Sequence, residues 1–571
     1  MQVSPVANIP VMETQYEPTG VTPSGKTLNF DQLYVGSTRR WRTAIGVAYV
    51  VVAIIFALYT PPWQMPDEPA HYNYIAHIAE NGDLPILQQG DYDQPYIELL
   101  VRTRFPAQLS TTGLRYESYQ PPLYYITAVP VYWATGGSLI AIRLFGVLLG
   151  LISLELLYAC IALVFPGKHL LALTAMAFAA LLPMHVSMTA AVNNDSLAKL
   201  LLMAATLIFL RWMRSHYFDY GYLAQWQQRR LLFLGILLGL GMLTKIYAYM
   251  MVPLFAAAVL LLIWLPPRLL GQTADGIQTP NRIGSSLRSM LYLLLPAALL
   301  GLPMWIRNLR LYGNWDILAL SWHDTVVVGQ LRTIDLIRRM GWIAYSEQGL
   351  DHTLKSFWGV FGWMGVFMDS RIYMALLVFG GVLFLGLIWA IVRLILGAPD
   401  ADMSRFQMSV LGLFGLMLVL VIGSYIAYNV KFVQHQGRYL FWGLLPISAF
   451  VALAWREVLH PLQGLTTGFL GLVLTLALAL SGLTSDHLDK WTLLILGSTT
   501  MLLLLQPLLL SNSGYIILDW LPDPLQHFLT RRPLVRLFSL LRTVCWALPF
   551  FLLFLLNLLI PMWFLLPQLS G

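Results

Sequence analysis

Residues 43–62 read TAIGVAYVVVAIIFALYTPP, an apolar run that ends in two prolines. A helix needs roughly 20 apolar residues to cross about 30 Å of hydrocarbon, so this run predicts a first membrane span. Further apolar runs follow to the C-terminus, and each would satisfy its own backbone hydrogen bonds as a helix. We therefore predict an all-α polytopic membrane protein with about 13 spans, at 43–60, 141–164, 169–190, 195–213, 231–248, 250–265, 290–306, 373–397, 406–428, 439–455, 464–482, 491–511 and 545–567.

The composition excludes two broad classes of protein. Hydrophobic residues make up 58% of the 571-residue chain and charged residues only 11%, whereas soluble domains carry about a quarter charged residues. The net charge of +7 comes from basic residues scattered between apolar runs, which argues against a nucleic-acid-binding surface. Cys160 and Cys545 both lie in apolar runs, so neither a disulfide framework nor a cysteine metal site is expected.

The distribution of basic residues predicts the topology. Residues 1–42 form a Pro-, Thr- and Gly-rich tail, expected to be disordered and without a cleavable signal peptide. The tail ends in Arg39, Arg40 and Arg42, which puts the N-terminus in the cytoplasm by the positive-inside rule. The polar segments 61–140 and 307–372 then fall on the outer face, with short interfacial helices expected in the first. The uncertain region is 231–265, where one or two crossings can be drawn.

Three domains are expected along the chain. The cytoplasmic tail 1–42 is followed by a transmembrane catalytic module at 43–460. Additional C-terminal helices occupy 461–571. They include a basic cytoplasmic linker, 512–544, which we expect to lie on anionic lipid.

An acidic motif follows the first span directly, in residues 62–72, PWQMPDEPAHY. If a short helix starts near Pro66, Asp67 and His71 lie four residues apart and share one face. Two adjacent carboxylates at a membrane surface can serve proton transfer. The alternative is an ordinary helix start, because the helix dipole favours carboxylates in the first turn.

Two more polar stretches fall on the predicted outer side. Residues 119–125, YQPPLYY, suit either a rigid interfacial turn or an aromatic belt, and contribute Tyr119 and Gln120 as pocket candidates. Residues 193–195, NND, interrupt two apolar runs. They can supply a second acid, Asp195, or simply a polar turn that caps the next helix.

Basic residues near the same boundary suggest anion binding. Lys245 is flanked by apolar sequence, where a charge costs about 2.5 to 3.5 kcal/mol, so it needs a partner unless it snorkels to the headgroups. Arg307 and Arg310 end one span, and Arg438 stands beside Tyr439 at the start of another. These arginines run against the positive-inside trend, and the planar guanidinium suits a phosphate.

Taken in order, these motifs resemble the GT-C superfamily of integral-membrane glycosyltransferases, near the protein O-mannosyltransferases and lipid A aminoarabinose transferases. They are similar above all to a bacterial multipass family with a Pro-Asp-Glu-Pro-x-His signature. The resemblance covers about residues 40 to 460. The segments that carry it are 66–71, 119–125, 193–195, 243–245, 307–313, 356–367 and 436–439.

The resemblance implies a GT-C-like fold of about 11–13 transmembrane helices and an inverting transfer from a dolichyl- or undecaprenyl-phosphate sugar on the extracytoplasmic face of the plasma (inner) membrane. It makes Asp67 the candidate general base, with Glu68 orienting the acceptor or active-site groups. Asp195 corresponds to a second outer-face acid. His71 is expected to hydrogen-bond Asp67 across one helical turn.

The same resemblance assigns the binding residues. Arg438 would hold the donor phosphate, with Lys245 and Arg307 as weaker candidates. The pocket candidates are Tyr72, Tyr119, Gln120 and Tyr439. No cofactor is expected: the family allows a divalent cation such as Mg²⁺ or Mn²⁺, but a phosphate beside an arginine is already a serviceable leaving group. The implied partners are the polyprenyl-phosphate sugar, the bilayer, and an acceptor glycan, lipid or protein.

Other functions fit parts of the pattern. A transporter or flippase of a lipid-linked or anionic substrate also carries intramembrane charges such as Lys245. Transporters often contain inverted repeats, and none is visible in this sequence. A polysaccharide polymerase or ligase, and an inactive scaffold, are further alternatives.

Overall fold

The structure, a computed structural model, describes residues 36–218, 224–266, 281–398, 402–485, 489–510, 522–524, 528 and 532–569. The predicted tail therefore lies outside the described residues up to position 35, as do residues 512–521, 525–527 and 529–531 of the predicted linker. Helices make up most of what is described. The only strands in that part are β1 and β2, a two-residue antiparallel pair.

The elements follow the chain in this order: α1 (Thr38–Tyr59), α2 (Glu68–Asn81), α3 (Gln94–Arg102), a 3-10 helix (Tyr116–Tyr119), α4 (Leu123–Thr135), α5 (Leu139–Val164), α6 (His169–Leu181), α7 (Pro183–Thr189), α8 (Asp195–Phe218), α9 (Ala224–Met242), a 3-10 helix (Ile246–Met250), α10 (Met251–Trp264), α11 (Arg282–Tyr312), α12 (Leu320–Val326), α13 (Thr333–Met340), α14 (Trp342–Gly359), β1 (Val360–Phe361), β2 (Val366–Phe367), α15 (Ser370–Ile395), α16 (Arg405–Lys431), a 3-10 helix (Gly437–Gly443), α17 (Leu444–Val458), α18 (Pro461–Thr484), α19 (Lys490–Leu510), α20 (Arg532–Ile560), a π-helix (Pro561–Leu565) and α21 (Leu566–Leu569).

Within the described residues, ten helices are long and apolar enough to cross a membrane, or eleven if the bent pair α6 and α7 counts as one span. The protein is thus a multipass α-helical membrane protein, as predicted. Two of the 13 predicted spans fall short of this test. Helix α9 begins with the polar sequence AQWQQRR, and the apolar part of α19 is the shorter stretch Lys490–Gln506.

The uncertain region 231–265 contains two helices of opposite direction. Helix α9 ends at Met242, and the chain turns at Lys245 into the 3-10 helix that leads to α10. Trp264 at the end of α10 bonds Ser286 near the start of α11, with 3.0 Å between Nε1 and Oγ. Helix α10 thus returns to the end where α11 begins, although α9 itself falls short of the test for a membrane span.

The predicted span 169–190 is broken between α6 and α7, whose axes differ by 66°. Pro183 opens α7, and Leu182 before it is extended, because a residue that precedes proline avoids the helical region. Both helices are buried along their whole length except at His169. The bend carries the chain to the turn that contains Asp195.

The long helices have two common ends, and we call the one at which Asp67 lies the site end. Helices α2 to α4 and α12 to α14 cover this end, as expected for segments 61–140 and 307–372. The two segments are joined by hydrogen bonds from Trp322 Nε1 to the Leu87 carbonyl, 2.8 Å, and from Trp363 Nε1 to the Trp63 carbonyl, 2.9 Å. They therefore form one cap over the spans.

The C-terminal helix α20 packs back onto the first helices of the chain. Trp546 donates from Nε1 to Thr174 Oγ1 on α6 at 2.8 Å, and its ring meets Trp41 of α1 edge-on. Asn557 donates to the Leu181 carbonyl at 2.9 Å, beside the bend between α6 and α7. The helices after residue 460 thus help to hold the helices that carry the site.

Candidate active site

Asp67 and Arg438 form an ion pair at the site end, although they lie 371 residues apart in the chain. Arg438 Nη2 is 3.0 Å from Asp67 Oδ2, and the Tyr116 hydroxyl donates to Asp67 Oδ1 at 3.0 Å. The side chain of Arg438 is 8% exposed and that of Asp67 is 29% exposed. The predicted base and the predicted phosphate ligand therefore lie in one place.

The backbone shows that Asp67 is not an ordinary helix cap. It occupies the N-cap position of α2 with φ of 63°, but its side chain accepts no capping hydrogen bond. A non-glycine residue with positive φ costs about 1 to 3 kcal/mol and persists where the surrounding structure holds it. The carboxylate is directed to Arg438 and Tyr116 instead, so the alternative of an ordinary helix start does not account for it.

The charge state of Asp67 follows from its partners. Burial by itself would raise the pKa of the carboxyl, but the positive charge of Arg438 and the hydrogen bonds from Arg438 and Tyr116 outweigh burial. The pKa of Asp67 is thus held below its ordinary value of 3.8. Asp67 is ionised at neutral pH and can accept a hydrogen bond from an acceptor hydroxyl.

Glu68, the other carboxylate of the motif, has a structural position. It is fully buried and binds Arg143 of α5 through both oxygens, at 2.8 Å for Nε to Oε1 and 2.6 Å for Nη2 to Oε2. The backbone amides of Trp63 and Val192 donate to the same carboxylate. Glu68 therefore does not line the cavity. Of the two predicted roles, orientation of the acceptor or of active-site groups, its position fits the second, because this carboxylate anchors the start of α2 next to Asp67.

His71 does not make the predicted side-chain bond to Asp67. Its Nδ1 lies 2.9 Å from the Tyr125 hydroxyl, and only its backbone amide donates to the Asp67 carbonyl, at 3.1 Å. Burial and the positive charge of Lys245 lower the pKa of His71 to about 3. The imidazole is neutral, and the structure gives it a packing role under Asp67.

Asp195 and Lys245 form a second ion pair, with 3.2 Å between Oδ1 and Nζ. Lys245 Nζ also donates to Asn194 Oδ1 at 2.6 Å, and Asn193 Oδ1 accepts from the Asp195 amide at 2.8 Å. The three polar residues of this turn have different roles: Asn193 caps α8, whereas Asn194 and Asp195 bind Lys245. Lys245 therefore has the polar partners expected for a charge flanked by apolar sequence.

A cavity of about 170 Å³ connects the two ion pairs. Its walls come from α7, α8, α16 and the 3-10 helices that precede α10 and α17. Three cations and one acid face it, together with aromatic and sulfur-containing side chains. The lining residues are Met188, Asp195, Lys199, Lys245, Tyr247, Ser424, Tyr425, Tyr428, Arg438, Tyr439, Phe441 and Trp442.

Besides Asp67, Glu68 and His71, four predicted residues are not among those that line this cavity. The Tyr72 hydroxyl donates to the Gly137 carbonyl at 2.6 Å, and the Tyr119 ring packs against His323 at a tilt of 44°. Gln120 does not line the cavity but contacts Asn194, whose Nδ2 donates to Gln120 Oε1 at 3.5 Å. The pocket assignment of these three residues is wrong for the cavity, and they support the elements that surround it.

Arg307, the fourth, lies at a separate depression. Its Nη2 donates to the Pro85 carbonyl at 2.6 Å and to the Leu84 carbonyl at 3.4 Å. The depression is lined by Leu84, Ile86, Arg307, Arg310 and Leu311. The structure thus does not bring Arg307 to the phosphate position predicted for it, because the guanidinium holds the loop that follows α2.

Four residues of the site region escaped the sequence analysis. Tyr116 and Glu117 come just before the quoted motif 119–125, and burial raises the pKa of Glu117 to about 7. The Glu117 Oε2 atom is buried without a hydrogen-bond partner. Lys199 and Arg143 are single charges inside apolar runs, a signal like the one that identified Lys245.

Among the residues that the structure describes, no group of three His, Cys, Asp or Glu is arranged to hold a metal ion. The two carboxylates nearest the cavity, Asp67 and Asp195, are each paired with a cation.

Over residues 94–317, the chain matches the family model of the dolichyl-phosphate-mannose-protein mannosyltransferases. This stretch is similar to a protein mannosyltransferase. The predicted resemblance to integral-membrane glycosyltransferases is thereby confirmed. The matched stretch contains Asp195, Lys199 and Lys245, whereas Asp67 and Arg438 lie on either side of it. No curated protein matches the chain by sequence.

Solved structures of membrane glycosyltransferases are also similar to this chain. The Archaeoglobus fulgidus oligosaccharyltransferase with a tethered acceptor peptide is 14% identical with a TM-score of 0.43, over 82% of this chain and 54% of that one. ArnT from Cupriavidus metallidurans, bound to undecaprenyl phosphate, is 14% identical with a TM-score of 0.42, over 91% and 77%. The Saccharomyces cerevisiae Pmt1-Pmt2 complex is 16% identical with a TM-score of 0.34, over 50% and 37%. The chain thus spans about half the length of the archaeal protein.

Proposed function

We propose that this protein is a membrane glycosyltransferase that moves a sugar from a polyprenyl-phosphate donor to an acceptor hydroxyl. The observation that carries the proposal is the Asp67–Arg438 ion pair beside the cavity. It joins an ionised carboxylate, able to take a proton, to a cation able to hold a phosphate. The name of the family model matched by residues 94–317, whose members use a dolichyl-phosphate sugar, supports the same donor class.

In the proposed reaction, Asp67 accepts the proton of the acceptor hydroxyl as its oxygen attacks the anomeric carbon. The bond from that carbon to the phosphate oxygen breaks, and the electron pair leaves with the phosphate. Attack from the face opposite the phosphate inverts the anomeric configuration. A positioned base contributes typically 10²- to 10⁴-fold to the rate, and a well-placed donor at the developing charge about 10²- to 10³-fold.

The cavity borders the lipid, which suits a lipid-linked donor. Ser424, Tyr425 and Tyr428 of α16 line it, while Ile422 and Ile426 on the same helix are exposed by 49% and 54%. A polyprenyl chain can therefore lie along α16 in the bilayer while its phosphate enters from the side. No passage through water is needed for the donor.

The proposal puts the site end on the extracytoplasmic face of the plasma (inner) membrane and the N-terminus in the cytoplasm. Arg39, Arg40 and Arg42 lie in the first two turns of α1, and Arg405 begins α16 at the same end of the helices. Basic residues at that end follow the positive-inside rule.

We propose further that transfer is independent of metal, because Arg438 and Lys245 already supply positive charge beside Asp67 and Asp195. A chelator is then expected to leave the rate unchanged. Loss of activity with chelator, restored by Mg²⁺ or Mn²⁺, would overturn this part.

The function is tested by glycosyl transfer in proteoliposomes with a panel of polyprenyl-phosphate sugars and acceptors. Wild type is expected to release polyprenyl phosphate, and Arg438→Gln to reduce release by about 10²- to 10³-fold. The matched control is Arg338→Gln, an arginine whose side chain is 74% exposed at the same end of the molecule. Movement of the lipid-linked sugar across the bilayer without release of polyprenyl phosphate would favour the transporter instead.

A further inference from the structure

Lys199 is a buried cation with no acid in direct contact. Lys199 lies on α8 one turn beyond Asp195, is only 4% exposed to solvent, and lines the cavity. Within the part of the chain that the structure describes, it makes no hydrogen bond and no ion pair. A charge in a membrane-spanning helix is costly and marks a functional site when it faces a cavity.

The neighbouring acids do not supply the missing charge. Asp195 pairs with Lys245 at 3.2 Å, and Asp67 pairs with Arg438 at 3.0 Å. Each of these acids is thus held by a nearer cation, and Asp195 acts on Lys199 only through a longer-range attraction. A buried cation without a hydrogen-bonded partner is unfavourable, and an anionic ligand relieves that cost.

The depth of Lys199 suggests where the anion sits. Four residues of helix span about 6 Å, so Lys199 lies about that much further into the membrane than Asp195. Lys199, Lys245 and Arg438 all line the same cavity. A phosphate held between these cations is therefore drawn below the surface, with its lipid chain in the bilayer.

We propose that Lys199 Nζ binds the phosphate of the lipid-linked sugar donor. Departure of the phosphate in the transfer step adds negative charge to it, and Lys199 stabilises that charge. This inference rests on the proposed function and adds Lys199 as a ligand of the donor phosphate.

The test separates binding from transfer. Binding of polyprenyl phosphate to the purified full chain in detergent is measured by native mass spectrometry for wild type, Lys199→Met and Lys199→Arg. Loss of one charge-assisted contact is expected to weaken binding by about 10- to 100-fold in Lys199→Met. Lys199→Arg keeps the charge and is expected to restore most of the binding. The matched control is Lys355→Met, a surface lysine paired with Asp351 at 2.7 Å, which is expected to bind as wild type does.

Thermal stability without ligand excludes a merely structural role. Methionine fills the site of Lys199 without a buried charge, so Lys199→Met is expected to melt at or above the wild-type temperature. A lower melting temperature together with unchanged affinity would overturn the proposal.

The two proposals fail in different ways. If wild type neither binds polyprenyl phosphate nor transfers a sugar, the proposed function is wrong. If wild type does both and Lys199→Met matches it in affinity and rate, the function stands and the role of Lys199 is wrong.

Discussion

At the scale of single residues, the adjacent acids Asp67 and Glu68 have different partners and different roles. The carboxylate of Asp67 pairs with Arg438, which lines the cavity, whereas Glu68 is buried and pairs with Arg143. The left-handed backbone at Asp67 is what separates the two directions. The sequence alone identifies both carboxylates as candidates but does not distinguish the base from the anchor.

The Glu68–Arg143 pair gives a stability prediction. Both side chains are almost completely buried, so Glu68→Gln leaves an unpaired guanidinium and is expected to cost about 3–5 kcal/mol. The double variant Glu68→Gln with Arg143→Met removes the charge as well and is expected to recover part of that loss. Folded yield and melting temperature report both effects, and a single variant as stable as wild type would contradict the anchoring role.

Glu117 gives a pH-dependent prediction. Its pKa is raised by burial, and by the charge of Asp67, from 4.5 to about 7, so the folded protein binds this proton more tightly than the unfolded chain. The contribution is favourable below pH 4.5 and is lost as pH rises toward 7. Glu117→Gln is therefore expected to melt above wild type at pH 8 and alongside it at pH 4.5. Equal melting temperatures at both values would show that Glu117 is not perturbed.

At the scale of elements, the apolar runs predict the spans well because hydropathy depends on local sequence alone. The breaks are harder, since the bend at Pro183 and the turn at Lys245 depend on what packs around them. Proline is a visible signal for the first. For the second, the partners Asn194 and Asp195 are distant in sequence, so only the need for a partner was predictable.

Close approach of α5 to α7 gives a prediction at this scale. A Cβ at Gly146 would lie 2.6 Å from the backbone carbonyl oxygen of Thr189, so Gly146→Ala is expected to destabilise the protein by roughly 1–3 kcal/mol. The control is Gly415→Ala on α16, where a Cβ meets nothing within 4 Å. There the better helix propensity of alanine predicts no loss of melting temperature. Equal loss in both variants would contradict the packing described.

At the scale of the whole molecule, the site is built from residues that the chain separates widely. The resemblance to a glycosyltransferase family predicts that Asp67 and Arg438 belong to one site, because each motif can be matched in order. It does not predict a role for Lys199, because Lys199 lies in none of those motifs. Only the cavity relates its charge to the others.

Orientation in the membrane is a prediction for the whole molecule. Single cysteines at Asp351 and Asp402, in a background without Cys160 and Cys545, mark opposite ends of the helices at exposed positions. A membrane-impermeant maleimide added to intact cells is expected to label Asp351→Cys and not Asp402→Cys. The reverse pattern would put the site end in the cytoplasm.

The most direct test of the central claim is sugar transfer by Asp67→Asn. This change keeps the size of the side chain and removes the base, so transfer is expected to fall by about 10²- to 10⁴-fold while the folded protein still binds polyprenyl phosphate. Asp335→Asn, at an aspartate whose side chain is 49% exposed, is the matched control and is expected to retain the wild-type rate. Transfer by Asp67→Asn at the wild-type rate would contradict the claim that Asp67 takes the acceptor proton.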